Sequence, residues 1–456
     1  MSAQPWGYRW RSSQAFIVFT AVLGLFSETF LYGFIVPILS YMLEDRLQLP
    51  PSQTQWLTTA LLTSHGFFAM ASAPIIAHFA DKTSDRKVPL LLALAGCATG
   101  TLLVAICSSL WLLFLGRMIQ AVAGSAGWIV GFATLTDNIR SEHVGKALGT
   151  AMSFVTAGVI MGPMVAGVLV QLLGYWAAWC APFILLGMDF VARLLMIGKN
   201  DTQSESSEDA ASDENEALLP RKVSSPSDPE QGCTELTGPG FYRIVLCDIR
   251  IIAALLNLFM FSLIISGFDA TLPLHLRKIF NWGPLPIGMI FLGIQVPGMI
   301  LGPVVGWLRD RVGLRYPTTV GWVLMAPLLC VLGMPGTGID WISYGDNGKV
   351  VFIGGMIAIG AVAPLVRGAG TFQLIAVTND LQAEKPTLFG PHGGSSRIFS
   401  ITEVTFNMGA MLGPLFSGAI VEEFSFSTMV RTLGILSLAV ALACFRYLSK
   451  ECPKRR

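Results

Sequence analysis

An acidic side chain interrupts the first long apolar run of the sequence. Glu28 lies inside the run from Ala15 to Leu43, which is long enough to cross a bilayer. An ionisable residue at this depth faces a cavity or a partner, and a carboxyl group there can take up and release a proton. Pro37 removes a backbone donor from the same span and loosens the helix. An acid and a helix breaker in one span favour a transport protein over an inert anchor.

Further ionisable and polar residues stand inside other apolar runs. Glu403 and Asn407 are one helical turn apart, so they share a helix face. Asp269 is near the end of its run, and Arg117 is the one base well inside the apolar core of the first half. Each charge could instead be a fixed ion pair, a hydrogen bond between helices or, for Asp269, a solvated acid. The predicted substrate- and proton-binding residues are Glu28, Tyr32, Arg117, Asp269, Glu403 and Asn407.

These residues are set in a chain made mostly of apolar runs. Of its 456 residues, 53% are hydrophobic and 13% are charged, whereas soluble globular proteins carry about 25% charged residues. Charge and turn clusters divide the chain into twelve runs of membrane-spanning length. Their predicted centres are Ser27, Phe67, Ala98, Val122, Ile160, Gly187, Met260, Val296, Met325, Ile359, Met408 and Leu438. The sequence predicts an all-α membrane protein with twelve transmembrane helices in two pseudo-symmetric six-helix halves.

The distribution of Lys and Arg predicts the orientation of the chain in the membrane. The loops on the side of both termini hold most of these residues, a bias that is typical of cytoplasmic loops. Residues 200–240 are rich in acids, Ser, Pro and Gly, which indicates a disordered linker. The predicted parts are a cytoplasmic N-terminal tail (1–14), an N-terminal six-helix half (15–199), an acidic cytoplasmic linker (200–240), a C-terminal six-helix half (241–449) and a basic cytoplasmic tail (450–456).

The two halves carry matching segments. Residues 75–87 match residues 304–315, and the pair Gly162–Pro163 matches Gly413–Pro414. Both matches occupy the same place in their six-span half, as expected of a duplicated transporter. Gly has no side chain to separate helices and Pro bends them, so the Gly-Pro pairs predict close but bendable helix contacts.

These segments also resemble a known family. Residues 306–315 read GWLRDRVGLR and closely resemble the loop motif of the major facilitator superfamily, which lies between the second and third spans of each half. The first-half copy around Asp81 has Ala for the leading Gly and one extra residue before its basic pair. Leu115–Gly124 resembles the family's fourth-span motif, and Gly158–Gly167 resembles the fifth-span motif associated with antiporters. Together these motifs cover the chain except the linker and tails.

Within this superfamily, the sequence is most similar to twelve-span drug:proton antiporters of the vesicular amine transporter type. Glu28 with Tyr32–Pro37 resembles their first span, Phe268–Pro273 their seventh and Thr402–Pro414 their eleventh. In each stretch the acid is exchanged for the other acid, which keeps the charge but changes the reach of the side chain. The tenth span carries Arg367 and has no clear counterpart of that branch's acid.

The resemblance implies an alternating-access secondary transporter. The expected form is a proton-coupled antiporter that exports a small amphipathic organic compound, such as a drug, toxin, amine or secondary metabolite. The alternatives are a proton symporter or facilitator for uptake, and a transporter-like receptor or scaffold that binds without cycling. The resemblance also implies that loop charges latch the halves on the inner side when the transporter faces out. The predicted gating residues are Asp81, Arg86, Asp310, Arg311, Gly162 and Pro163.

The sequence lacks the motifs of several other classes. It has no activated nucleophile, metal-ligand set or nucleotide fingerprint, so we predict neither an enzyme nor a cofactor. Its eight Cys residues form no CxxC or Cys/His cluster and are interpreted as packing residues. The predicted partners are a small-molecule substrate, protons and the lipid bilayer, without nucleic acid. We expect a monomeric, multi-pass membrane protein, with the plasma membrane favoured over a vacuolar or vesicular membrane.

Overall fold

The described part of the chain is built from helices. The computed structural model describes residues 7–82, 87–137, 144–196, 246–335, 346–370, 373–374, 377 and 395–448. Within these ranges the regular structure is helical, and twelve helices are long and apolar enough to cross a membrane. The predicted twelve spans are therefore confirmed, and each predicted centre lies in one of them. The predicted linker, residues 200–240, lies outside the described residues.

The twelve long helices follow one another in chain order. They are α1 (Gln14–Phe34), α2 (Pro51–Lys82), α3 (Lys87–Ala105), α4 (Leu110–Asp137), α5 (Val144–Leu173), α6 (Tyr175–Leu195), α7 (Ile249–Phe280), α8 (Pro284–Val312), α9 (Arg315–Leu332), α10 (Asp346–Val366), α11 (Ser395–Glu423) and α12 (Phe426–Tyr447). A short helix, Tyr8–Arg11, precedes α1.

The same helix pairings recur in both halves. In the first half α1 packs against α5, α3 against α4 and α2 against α4. The corresponding pairs α7–α11, α9–α10 and α8–α10 pack in the second half. Each half has an apolar core, which includes Phe34, Leu61 and Trp179 in the first half and Trp322 and Phe352 in the second, where Val36 of the first half also packs. The predicted pseudo-symmetry of the halves is thus confirmed.

The interface between the halves is formed by a small set of helices. α2 packs against α11, α5 packs against α8, and α4 also contacts α11. A side chain on α1, α4, α7 or α11 that points toward this interface can therefore contact the opposite half. These are the helices that carry the predicted substrate- and proton-binding residues.

The first spanning helix is interrupted near Pro37, where the sequence predicts a loosened helix. α1 ends at Phe34, just before Pro37. Turns then lead into the short helix Leu39–Tyr41 and the π-helical segment Met42–Arg46. Because Pro37 cannot donate a helical hydrogen bond, the chain bends here and brings Glu44 toward the second half.

Gly162 allows α5 to approach α1 closely. A Cβ atom at this position would lie 2.5 Å from the carbonyl oxygen of Phe30 and 2.9 Å from the amide nitrogen of Phe34. In the second half, a Cβ at Gly413 on α11 would lie 2.6 Å from the carbonyl oxygen of Leu263 on α7. The matching Gly-Pro pairs therefore make equivalent close helix contacts.

Pro163 lies where three helices meet. α5 continues through Pro163 as one helix. A Cβ at Gly33 on α1 would lie 2.9 Å from Pro163 Cδ, and a Cβ at Gly288 on α8 would lie 2.7 Å from the Pro163 carbonyl oxygen. This proline thus contacts its own half and the opposite half at once.

Replacing Gly162 by Ala is expected to lower the thermal stability of the purified protein. The added Cβ has no room against the α1 backbone, and such overpacking costs about 1–3 kcal/mol. Gly187→Ala on α6 is the matched control, because no heavy atom lies within 4 Å of a Cβ there. Its unfolding midpoint should stay unchanged or rise, since Ala favours a helix by about 1 kcal/mol over Gly. Equal midpoints for the two variants would contradict the close α1–α5 contact.

Candidate functional site

Glu28 is held inside the first half by α3 and α4. The Sγ of Cys97 on α3 lies 3.4 Å from Glu28 Oε2, at hydrogen-bonding distance for a thiol donor. Gly124 on α4 lies so close that any side chain there would overlap the carboxyl group of Glu28. The missing side chain at position 124 therefore makes room for the acid.

Arg117 is a buried cation beside Glu28. Its side chain is only 1% exposed, and it interacts electrostatically with Glu28. Arg117 Nη1 donates to Gln120 Oε1 at 3.0 Å, and Gln120 Nε2 donates to Thr101 Oγ1 at 2.8 Å. Arg117 Nη2 has no hydrogen-bond partner in the described part of the chain. The guanidinium therefore keeps one spare donor in a buried place.

Arg117, which carries this unpaired donor, lines a small cavity. The cavity is lined by Glu28, Leu31, Tyr32, His65, Cys97, Arg117 and Gln120. His65 is buried, with Nδ1 3.4 Å from the carbonyl oxygen of Arg117, and its ring lies 5.5 Å from that of Tyr32. Because a carbonyl only accepts hydrogen bonds, this nitrogen is the one that carries the proton.

Tyr32 and Asp269 connect the two halves. The Tyr32 hydroxyl on α1 donates to Asp269 Oδ2 on α7 at 3.3 Å. Asp269 is only 7% exposed, so it is not a solvated acid in the structure. In the sequence, Asp269 lies near the end of an apolar run. In the structure, α7 continues beyond it to Phe280, and Tyr32 contacts its carboxyl group.

Glu403 makes a second connection between the halves. Ser125 Oγ on α4 lies 3.4 Å from Glu403 Oε1 on α11 and 3.3 Å from the carbonyl oxygen of Ala69 on α2, so its one proton is shared between these two acceptors. Asn407 Nδ2 donates to Glu403 Oε1 at 2.7 Å, and the predicted shared face of these two residues is thus present. Glu403 is 8% exposed. Asp269 and Glu403 are therefore each within hydrogen-bonding distance of a hydroxyl group of the first half.

The described site carries surplus negative charge when all its acids are ionised. It contains the carboxylates of Glu28, Asp269 and Glu403 and the guanidinium of Arg117. Glu28 and Glu403 are close enough to interact electrostatically. Buried like charges repel, so the cluster is suited to bind protons or a cationic group. Arg367 lies apart from these contacts, with Nη1 3.5 Å from Gln295 Oε1.

Some polar residues of the site carry no signal of their own in the sequence. Cys97, Thr101 and Ser125 are small residues in apolar helices, where such residues often serve only packing. Gln120 has a weak signal, because Arg117, Gln120 and Gly124 are spaced i, i+3, i+7 and share a helix face.

The charged residues of the repeated loop motif are only partly described. Asp81 and Asp310 lie in α2 and α8, but their side chains and all of Arg86 are outside the described residues. Arg311 is exposed, with its guanidinium carbon 4.2 Å from the centre of the Trp307 ring. A latch role for these four charges stays a prediction.

Arg309 belongs to the loop motif at residues 306–315 but is not among the predicted gating residues. Its Nη2 lies 2.7–2.9 Å from the carbonyl oxygens of Pro364, Leu365 and Arg367, which share its two protons. These carbonyls are at the end of α10, where a helix lacks its own donors. Arg309 therefore fastens α8 to α10 within the second half.

We call the end of the bundle where α1 ends and α2 begins the distal end. Contacts between the halves close this end. Arg277 Nη1 forms an ion pair with Glu44 Oε2 at 2.6 Å. Gln55 Nε2 donates to the carbonyl oxygen of Ala270 at 3.1 Å. Gln171 Oε1 accepts from the amide of Leu285 at 3.1 Å.

Arg277→Gln is expected to increase opening at the distal end by a modest factor. Arg277 is 49% exposed, and an exposed ion pair contributes about 0–1 kcal/mol, which is at most about a fivefold population shift. The rate at which an impermeant maleimide labels Ala270→Cys measures this opening. Lys349→Gln is the control, since it removes an exposed ion pair within α10 alone. Equal labelling rates in both variants would contradict a closing role for Glu44 and Arg277.

Comparison with known proteins agrees with this architecture. The family model described as Major Facilitator Superfamily matches residues 21–375. The solved structure of the nucleoside transporter NupG is similar in fold, with a TM-score of 0.63 and 14% identity over 94% of this chain and 98% of that one. The likeness to NupG supports the fold alone.

Three relatives extend the comparison to named proteins. An uncharacterized MFS-type transporter of Schizosaccharomyces pombe is 28% identical, over 95% of this chain and 96% of its own length. The class D tetracycline resistance protein of Salmonella ordonez is 25% identical, over 78% of this chain and 84% of its own. The synaptic vesicular amine transporter of Rattus norvegicus is 22% identical, over 76% of this chain and 58% of its own. The resemblance to drug efflux and amine transporters is thus confirmed.

The family match spans most of the chain, the fold has two similar six-helix halves, and buried charges lie where these halves meet. The chain belongs to the major facilitator superfamily and is a multi-pass membrane transporter with twelve spanning helices.

Proposed function

We propose that this transporter exports a small amphipathic organic compound in exchange for protons. The observation that carries the proposal is the set of hydrogen bonds that cross between the halves to buried acids. Tyr32 reaches Asp269, and Ser125 reaches Glu403. A change in the protonation of these acids therefore alters contacts that hold the two halves together.

The exchange follows from competition for the same buried charges. A proton and a cationic substrate both neutralise a carboxylate, and a hydrogen-bond-donating substrate stabilises its ionised form, so binding of substrate favours release of the proton. Arg117 supplies a fixed positive charge beside Glu28, which stabilises its ionised form after a proton leaves. The tetracycline resistance protein and the vesicular amine transporter among the relatives support an organic substrate, and the multi-drug resistance efflux pump PmrA of Streptococcus pneumoniae supports outward transport.

The orientation and the gate belong to the same proposal. With both termini in the cytoplasm, the distal end faces outward, and its closing contacts describe a state shut to the outside. Asp81, Arg86, Asp310 and Arg311 would then latch the opposite end when the distal end opens, with Gly162 and Pro163 as a bending contact. The linker 200–240 would be cytoplasmic, the chain monomeric and the plasma membrane its location.

Transport in right-side-out vesicles with imposed pH gradients tests the proposal. The probe panel is a tetracycline, a lipophilic cationic dye and an aromatic monoamine. An outside-acid gradient should speed the loss of a preloaded probe, and a protonophore should remove the effect. Vesicles without the protein control for passive movement of weak bases.

The same experiment separates the alternatives. Probe accumulation driven by outside acid would instead indicate proton symport for uptake. A rate independent of the gradient would indicate a facilitator. If deletion of residues 200–240 leaves flux intact, a receptor that uses this linker as its output is contradicted.

A further inference from the structure

A second cavity lies inside the first half, away from the interface between the halves. Its lining comes from α1, α3, α4 and α6 alone. It has room for about one water molecule. The ionisable residues that line it are Glu28, Cys97, Asp189 and Arg193. Glu28 and Cys97 also line the small cavity described above, so the acid is accessible from two cavities.

Asp189 and Arg193 form a buried ion pair in this cavity. Their side chains are 1% and 4% exposed, and Arg193 Nε lies 2.9 Å from Asp189 Oδ1. Arg193 Nη1 is buried and has no hydrogen-bond partner within the described ranges. A spare buried donor beside a cavity of this size is a site for an ordered water.

Gly24 places this ion pair one helical turn from Glu28. A side chain at Gly24 would overlap Arg193 Nη2, and its Cβ would lie 3.4 Å from Asp189 Oδ2. Gly24 and Glu28 are four residues apart on α1, which is a rise of about 6 Å on one face. The charges of Asp189 and Glu28 interact across this distance. A water in the cavity can therefore connect the two carboxyl groups.

The other helices around the ion pair contribute few charges. α3 contributes Cys97, whose thiol lies beside Glu28. The α4 residues that line the cavity carry no ionisable group, and no residue of α5 lines it. Arg11 and Lys87 contact backbone carbonyls at the end of α6, next to Arg193. The ion pair thus lies between Glu28 and the end of the bundle opposite the distal end, here called the proximal end.

We infer that Asp189, positioned by Arg193, relays protons between Glu28 and the proximal side. Protons then travel through the first half, while substrate uses the interface between the halves. The carboxyl group of Glu28 gives its proton to the cavity water, which passes one to the Asp189 carboxylate. Asp189 releases a proton to the proximal solvent and pairs again with Arg193. The inference rests on the proposed proton exchange.

The test compares proton movement with substrate exchange in reconstituted full-length protein. Asp189→Asn/Arg193→Gln removes the relay without leaving an unpaired buried charge. Asp189→Glu is the conservative control that keeps the carboxyl group. A lumenal pH dye records proton movement driven by the panel probe with the largest flux. Counterflow of labelled against unlabelled probe measures exchange without net proton transfer.

The relay predicts a split between the two readouts. In the double variant, probe-driven proton movement should fall at least about 100-fold, while counterflow stays unchanged. Asp189→Glu should keep both. Normal proton movement in the double variant, or equal loss in both assays, would overturn the relay. Wild-type protein that shows counterflow without any proton movement would overturn the proposed exchange, and the relay with it.

Discussion

Glu28→Gln and Glu403→Gln are each expected to lower proton-driven export by about 100-fold or more, the scale of losing a proton-transfer group. Gln has almost the shape of Glu but cannot carry the charge. Gln also keeps an oxygen that can accept from Cys97 at position 28 and from Asn407 at position 403, so a loss cannot be attributed to a missing acceptor. Counterflow should persist at a raised probe concentration, because exchange of substrate for substrate needs no net proton transfer, while loss of the carboxylate weakens binding of a cationic probe.

Glu423→Gln is the matched control for this result. Glu423 is an exposed acid at the end of α11, the helix that also carries Glu403. Its replacement should leave proton-driven export unchanged. If Glu28→Gln and Glu403→Gln both retain full proton-driven export, the assignment of these acids to the proton site is wrong.

Arg117→Gln is also expected to reduce proton-driven export strongly. In this variant Glu28 stays protonated, whereas in Glu28→Gln the side chain cannot take up a proton at all. The ionised form of Glu28 loses the cation beside it, so Glu28 keeps its proton and the exchange stops. The expected loss is about 100-fold, and probe binding should weaken where Glu28 stays protonated and recover at high pH, where Glu28 ionises without the cation. Export assays and equilibrium probe binding at low and high pH measure the two effects.

Arg117→Lys distinguishes charge from geometry. Lys keeps the positive charge but lacks the planar fork that donates to Gln120 and leaves Nη2 free. We expect partial export from this variant. Arg431→Gln, an exposed base on α12, serves as the control and should export normally. Full export by Arg117→Gln would contradict a coupling role for the guanidinium.

The elements of the fold follow from local sequence patterns. Long apolar runs predict the twelve helices because a spanning segment must satisfy its backbone internally. Pro37 predicts the break after α1 because proline cannot continue the hydrogen-bond ladder. The one-turn spacing of Glu403 and Asn407 predicts their shared face, which the structure contains.

Contacts between distant helices are harder to predict. The pairing of Tyr32 with Asp269 depends on the relative position of α1 and α7, which no local pattern determines. For the same reason, the apolar run around Asp269 does not reveal that Tyr32 covers the acid. The cavity beside Asp189 and Arg193 likewise depends on Gly24, which faces them from another helix.

Proton movement driven by a substrate gradient is the most direct test of the central claim. Proteoliposomes are loaded with the most strongly transported panel probe and a pH dye, then diluted without an imposed pH gradient. Efflux of the probe should acidify the lumen, because each exported molecule is exchanged for protons, and Glu28→Gln should remove this acidification. In the converse experiment, a pH gradient of two units is imposed. If one proton is exchanged per probe molecule, this gradient would support about a 100-fold gradient of probe concentration. Probe efflux with no pH change, or with alkalinisation of the lumen, would contradict proton antiport.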